Sequence, residues 1–191
     1  MRHKLAAPIL ATVIGVGLFG CAPPPPPPAK PVVEQPKPPL PDQPTQNAPM
    51  CVRPAEKAAF DLAALTSHMK VITINCHTED RYNAFVGKFR GEMIGGERAL
   101  SGYFQRAYGG RARSQQDSYD TQLFNAASQF AIRHGTLFCP QNLGMLDELE
   151  AMKTTSDLPA YAASKPLQQS MAITECPPPA AAPAKPAAKK P

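Results

Sequence analysis

The sequence carries none of the short motifs that announce a reaction. There is no HExxH, no GxSxG, no Walker phosphate loop and no GxGxxG. That leaves no motif for a zincin-type metal site, an elbow-type serine hydrolase, a phosphate-loop nucleotidase or a dinucleotide fold. No CxxC pair occurs either, whereas structural zinc sites usually space neighbouring ligands about two to four residues apart. Tryptophan is absent from all 191 residues, and no internal repeat is visible. The uncharged apolar stretch at residues 5–20 has 16 residues, short of the roughly 20 that a membrane-spanning helix needs.

An excess of charge is also missing where it would matter. The formal net charge is +5. Arg2 and Lys4 precede the apolar stretch, and Lys185, Lys189 and Lys190 sit at the far end. Residues 50–176 hold 13 Lys+Arg against 13 Asp+Glu. A near-neutral folding segment gives no basic footprint for nucleic acid, so no nucleic-acid partner is expected.

What the chain does have begins at its amino terminus. MRHK is a short basic region, and LAAPILATVIGVGLFG after it is apolar. That order is the pattern of an export signal. The run ends in LFGC, residues 18–21. Leu18, Gly20 and Cys21 resemble the lipobox of bacterial lipoproteins, with Phe19 bulkier than the usual middle residue. The resemblance covers residues 1–21 only. It implies cleavage before Cys21, lipidation of that cysteine (palmitate and related acyl chains), and a membrane partner reached through the anchor. In that class an Asp after the cysteine commonly retains the protein in the inner membrane. Ala22 therefore implies the outer membrane, on its periplasmic side or at the cell surface.

Proline marks the domain. Residues 22–49 hold 13 of the 24 prolines, residues 177–191 hold six, and residues 50–176 hold four. Proline fixes φ and lacks a donor, so proline-dense flanks form extended spacers rather than helix or sheet. The expected organisation is a signal peptide at 1–20, a lipidated cysteine and disordered linker at 21–49, a folded domain at 50–176, and a Pro/Ala/Lys-rich disordered tail at 177–191.

Within the domain the apolar period is helical. Leu62, Leu65, Met69, Ile72 and Cys76 are spaced three, four, three, four, one stripe of an amphipathic helix. With Pro54 in the first turn, the spacing predicts a helix over 54–76 that includes the β-branched run at 71–74. Tyr82, Phe85, Val86, Phe89 and Met93 predict a second helix. The Gly95–Gly96 pair reads as an interruption before Leu100, Tyr103 and Phe104, with Gly109 and Gly110 as the stop, and leaves residues 80–108 open as one helix or two. Tyr119, Leu123, Ala126 and Phe130 predict another, capped by Ser114 and stopped by Gly135. Two shorter helices are expected at 141–152 and around 159–173. The fold class is all-α, a bundle of five or six helices, with no hairpin.

Setting Cys21 aside leaves Cys51, Cys76, Cys139 and Cys176. An even number in an exported chain predicts disulfides. Among three connectivities the nested pairing Cys51–Cys176 and Cys76–Cys139 is the reading adopted here. A metal site from Cys76, His77, His134 and Cys139 is the disfavoured rival, so no metal and no cofactor is expected.

Candidate chemistry is sparse. The cluster HTED at 77–80 lies in one polar turn, where Asp80 is a plausible cap. Glu92 and Glu97 flank the glycine pair, and paired carboxylates serve glycan hydrolysis when they converge. Arg106, Arg111 and Arg113 surround Gly109 and Gly110 and form a candidate anion-binding loop. His134 extends an apolar row. No catalytic residue is assigned. The expectation is a non-enzymatic envelope lipoprotein that binds or scaffolds an envelope protein or cell-wall partner. The alternatives are an accessory subunit of a membrane or periplasmic complex and a peptidoglycan-active enzyme.

Overall fold

The computed structural model of the chain describes residue 44 and residues 46–178. Residues 1–20, where a signal peptide is expected, Cys21, most of the proline-rich stretch and residues from 179 on lie outside the described residues. Within those bounds the fold is all-α. Six helices occur: α1 (Pro54–Cys76), α2 (Glu79–Lys88), α3 (Arg90–Tyr108), α4 (Ala112–His134), α5 (Phe138–Ala151) and α6 (Leu158–Ser164). Single 3₁₀ turns at Gly109–Arg111, Gly135–Leu137 and Thr155–Asp157 separate the later ones.

α1 is the hub. It starts at Pro54, where a missing N–H costs nothing. Its apolar stripe is only half of its burial. Phe60, Ala64 and Val71 occupy a second row that is equally buried, and the remaining five helices all pack against it. The β-branched run stays helical because packing outweighs propensity. Thr73 Oγ1 also satisfies itself by donating to Met69 O at 2.9 Å.

Two cores sit along this helix. Around its first half, Phe60 meets Tyr103 at 5.0 Å and Tyr119 at 5.2 Å, both edge-on, with Phe104 alongside. Around its second half, Leu65, Met69 and Ile72 pack with Phe85, Phe89, Phe130, Phe138 and Leu146. Tyr119 lies by Phe60 and Phe130 by His68, so α4 runs parallel to α1. Phe104 lies by Phe60 and Gly96 by Leu62, so α3 runs antiparallel to it.

The expected break at Gly95–Gly96 is corrected. α3 passes through both glycines, and the break falls at Phe89. A Cβ at Gly96 would stand 2.8 Å from Leu62 Cδ2, so the glycine is there to let α3 approach α1. The chain turns at Phe89 because α2 must reach α5. Arg81 pairs with Asp147 and Glu150, both at 2.6 Å, and Lys88 Nζ donates to the carbonyls of Leu149 and Glu150 at 2.9 Å.

Three further expectations change. Ser114 is not the cap of α4, which begins at Ala112; its hydroxyl donates to Arg111 O at 3.0 Å. Asp80 lies inside the first turn of α2 rather than at its cap. α6 ends at Ser164 because Pro166 forces Lys165 into extended backbone, ψ 142°. The chain then runs extended and forms β2 (Met171–Ala172), which pairs in parallel with β1 (Gln46–Asn47) in the register Gln46↔Met171. A second bridge joins Val52 and Glu175.

The two ends of the domain are thereby tied together. Cys51 and Cys176 are sulfur-bonded at 2.02 Å, and Cys76 and Cys139 at 2.07 Å. Beside the first bridge, Glu56 is buried. It accepts from the Arg53 N–H at 2.7 Å and from Arg106 Nη2 at 2.6 Å. Burial alone would raise its pKa, but the Arg106 hydrogen bond and the Arg53 N–H outweigh it and hold the carboxyl below its ordinary value. Arg106 also donates to Cys51 O at 2.9 Å and lies over the Tyr103 ring.

A second buried polar contact joins α1 to α5. Asn142 Nδ2 donates to Phe138 O, which leaves Asn142 Oδ1 to accept from His68 Nε2 at 2.9 Å. Burial depresses the His68 pKa; the Asn142 bond opposes this and nearby His134 adds to it.

Two stability predictions follow from these contacts. Arg106→Ala strands a buried carboxylate and should cost about 2–4 kcal/mol in denaturant unfolding, whereas Arg113→Ala on the surface should change little. For His68, the unfolded chain binds a proton near 6.5 and the folded chain only at lower pH. Stability should therefore fall as pH drops from 6.5 toward the folded value, with no loss from this group above 6.5. His68→Gln should flatten that part of a melting-temperature profile; an unchanged profile would show that His68 is not the titrating group.

Candidate functional site

A groove opens where α3 and α4 part over α1. Its floor is a row of small side chains on α1, Ala59, Ala63 and Ser67, with Leu62 beside it and Gly96 of α3 opposite. Residues four apart stack on one helix face, so this row is what keeps the floor low. The cavity measures about 270 Å³.

Its rim is charged. Glu97 of α3 and Asp120 of α4 both line it. Gly96 abuts Leu62 and Tyr119 abuts Phe60, so the next residues, Glu97 and Asp120, leave their helices at nearly one level of α1. Gln116 bridges the two helices at one end. Its Nε2 donates to Glu97 Oε1 at 2.6 Å, and its Oε1 accepts from Ser101 Oγ at 3.0 Å. Lys70 stands at the other end, on the last turns of α1. The Asp120 carboxyl is pushed up to about 6, first by desolvation and then by the Glu97 charge, with Lys70 opposing. The Asp120 side chain is nonetheless exposed at the surface, so solvent screening cuts the energetic weight of that shift well below its face value.

The floor also holds a buried hydroxyl. Ser67 is 7% exposed, and its Oγ is buried with no hydrogen-bond partner. Buried hydroxyls are nearly always paired. Alongside it lies a second cavity of about 520 Å³ that shares Thr66, Lys70, Met93 and Glu97 and is also lined by Val86, Arg90, Ile94 and Arg98.

The residues singled out from the sequence fare unevenly. Glu97 is at the centre of the groove. Glu92 is not with it. Five residues apart on one helix is about 140° of rotation, and Glu92 instead accepts from Thr155 Oγ1 at 3.4 Å. The three arginines do not act as one loop. Arg106 is committed to Glu56 and Cys51 O. Arg111 is exposed in the 3₁₀ turn, and Arg113 lines a shallow cavity with Glu97 and Gln116. His77 caps α1 in the left-handed region at φ 54°, its N–H bonded to Thr73 O, while Glu79 and Asp80 are exposed. HTED is thus a helix junction. His134 is buried, with Nδ1 on Phe130 O at 2.8 Å. Cys76 and Cys139, the sulfurs of the metal rival, are bonded to each other. Among the described residues no group of three or more His, Cys, Asp or Glu is placed to hold a metal ion, and no helix is long and apolar enough to cross a membrane.

Asp120, Ser67 and Lys70 were missed by sequence reasoning. The available signal was the Ala59–Ala63–Ser67 row, small residues at four-residue spacing on an otherwise bulky helix. No protein-family model matches the chain, and no match is found among curated proteins or solved structures. The groove is therefore interpreted from its own chemistry.

Asp120 has a consequence for stability. Its folded pKa lies above the ordinary 3.8, so the folded state binds more protons between about 4 and 6 and loses stability as pH rises through that range. Asp120→Asn should raise stability at pH 7 by about 1 kcal/mol after allowance for solvent screening, and the gain should vanish near pH 4. Equal melting temperatures for both proteins at pH 7 would show that the site imposes no cost.

Proposed function

We propose that the protein is a non-enzymatic binding module of the cell envelope, tethered to the outer membrane by lipid on Cys21. The observation that carries the binding role is the α1–α3–α4 groove, with its charged rim and its unpaired buried Ser67 hydroxyl. The tether rests on the sequence Leu18–Cys21, on Ala22 and on the proline spacer after it. Acyl chains contribute about 0.8 kcal/mol per buried CH₂, and two or more hold a protein stably at a bilayer. Two nested disulfides suit an oxidising compartment. A role as an accessory subunit of a membrane or periplasmic complex is a form of the same reading. The exposed Ile74, Ile132 and Leu137 near the far ends of α1 and α4 favour a protein partner.

One observation favours a second reading, a peptidoglycan-active glycan hydrolase. Glu97 shares its cavity with Asp120, and a carboxyl held near about 6 suits a general acid.

Three measurements separate these readings. Cys21→Ser should move the protein from the membrane fraction to the soluble periplasm; a variant that still sediments with the outer membrane removes the tether. A pull-down of the full chain in mild detergent should retain an envelope component. Purified sacculi should remain uncleaved. Cleavage that disappears in the Glu97→Gln, Asp120→Asn double variant would establish the hydrolase and displace the binding module.

A further inference from the structure

We infer that the outward face of α3 is a membrane-docking surface, on which Arg90, Ile94 and Arg98 lay this helix along a bilayer of anionic phospholipid. The inference rests on the Cys21 tether proposed above and names what the domain does at the bilayer that the tether keeps within reach.

The face is uncovered. Arg90, Gly91, Ile94, Gly95, Arg98 and Gly102 are all exposed along it. A Cβ added at Gly91, Gly95 or Gly102 would meet nothing within 4 Å, so no other described element lies over it. Arg90, Ile94 and Arg98 recur at four-residue spacing, a row that drifts only about 40° per step over about 12 Å of helix. With glycine beside them, these three are the side chains that stand out from the face. Ile94 is 43% exposed.

The charge on the row has one sign. Two carboxylates of α3 border it on opposite flanks, and each is drawn away by a partner. Glu92 accepts from Thr155 Oγ1 on one side, and Glu97 accepts from Gln116 Nε2 of α4 on the other. Among the described residues Arg90 and Arg98 make no ion pair and no hydrogen bond. Around the cavity beside the row, Lys70, Arg90 and Arg98 face one carboxylate, Glu97. Lys70 also acts on Asp120, so the two arginines carry the positive surplus. Asp117 and Asp120 line other cavities, on the α4 side of Glu97.

Charge and shape select the occupant. A second copy of the chain laid on this face sets arginine against arginine, whether the two helices run parallel or antiparallel. A plane of phosphate headgroups meets all three side chains at once. The guanidiniums pair with phosphate oxygens, and the isoleucine between them reaches the apolar layer. Each Lys or Arg beside an anionic surface strengthens partition about fivefold, so two arginines supply about twenty-fivefold. That is too little to hold a free protein at a membrane and enough to orient one that is already tethered there.

The chain contains no tryptophan, so an Ile94→Trp variant reports on this one position. The test is titration of the full chain carrying Ile94→Trp and Cys21→Ser, which removes the anchor, with vesicles of equal phosphatidylcholine and phosphatidylglycerol. Indole emission should shift to the blue at millimolar lipid and stay unshifted on pure phosphatidylcholine. The shift should vanish at about 1 M salt, where charges are screened over about 3 Å. Adding Arg90→Gln and Arg98→Gln should weaken partition about twenty-fivefold with unchanged helical circular dichroism. Ile132→Trp, at an exposed position of α4, should show no shift. Co-sedimentation of the Cys21→Ser chain with and without the two arginine substitutions makes the same comparison without an indole, and the basic tail is common to every chain compared. Equal sedimentation with an unshifted indole, or an equal shift on neutral vesicles, overturns the docking surface. A pull-down partner lost with Arg90 and Arg98 while the indole stays unshifted on vesicles also overturns it and assigns the face to an acidic protein. If the indole is unshifted but Cys21→Ser releases the protein from membranes, the surface falls and the tether stands. If the indole shifts but Cys21→Ser leaves the protein in the membrane fraction, the tether falls and the surface stands.

Discussion

Burial of α1 on both of its long faces is the constraint from which the rest of the structure follows. A helix with Phe60, Ala64 and Val71 on one row and Leu65, Met69 and Ile72 on the other cannot be left against water on either side. Covering it takes α3 and α4 near its start and α2, α5 and α6 near its end, which is why the core divides into two clusters along one axis. Two of the four buried polar side chains of α1 are each met by a partner from a distant element. Glu56 meets Arg106 of α3, and His68 meets Asn142 of α5. Unpaired, either would oppose the burial that places it there.

The same constraint explains which features were legible in the sequence. Helices that depend on a local period were visible. The three–four spacing from Leu62 to Cys76 and the row from Tyr119 to Phe130 mark α1 and α4, and Gly109 and Gly135 end α3 and α4 at positive φ. Features that depend on a distant partner were hidden. Gly95–Gly96 reads locally as a helix breaker, because its cost relative to alanine is local. Its benefit, room for Leu62, lies on another helix. Phe89 reads as one more member of an apolar stripe, and only the docking of Arg81 and Lys88 on α5 turns the chain there. The parallel pairing of β1 with β2 joins residues 125 apart in the sequence, from Gln46 to Met171, and carries no turn signature.

The candidate site was half legible for the same reason. Glu97 drew notice because it flanks the glycine pair, and it does stand at the centre of the groove. Glu92 drew notice equally and points to Thr155. Adjacency in sequence gave the right residue type with the wrong partner. The true neighbour, Asp120, is 23 positions further on and reaches Glu97 only because α3 and α4 both lie on α1 with opposite directions. Arg106 shows the converse error. It belongs by sequence to a basic loop and by structure to the closure of the domain, where it reaches Glu56 and the Cys51 carbonyl.

The arrangement at Cys51 and Cys176 ties these observations to the proposed setting. Their Cα atoms are 4.8 Å apart, so the bridge holds the start of the helical domain against its last described residues. The bridge, the Val52–Glu175 pairing and the Arg106–Glu56 contact all reinforce that one end. In the proposed setting a pull on an amino-terminal tether would meet the β1–β2 pairing first and then the Cys51–Cys176 bridge, both ahead of α1. The groove lies on the α3–α4 face, where the fold tolerates an unpaired Ser67 and an Asp120 carboxyl raised first by desolvation and then by Glu97. The closing contacts thus stand at the ends of the domain, and the unpaired hydroxyl and the raised carboxyl stand at the groove.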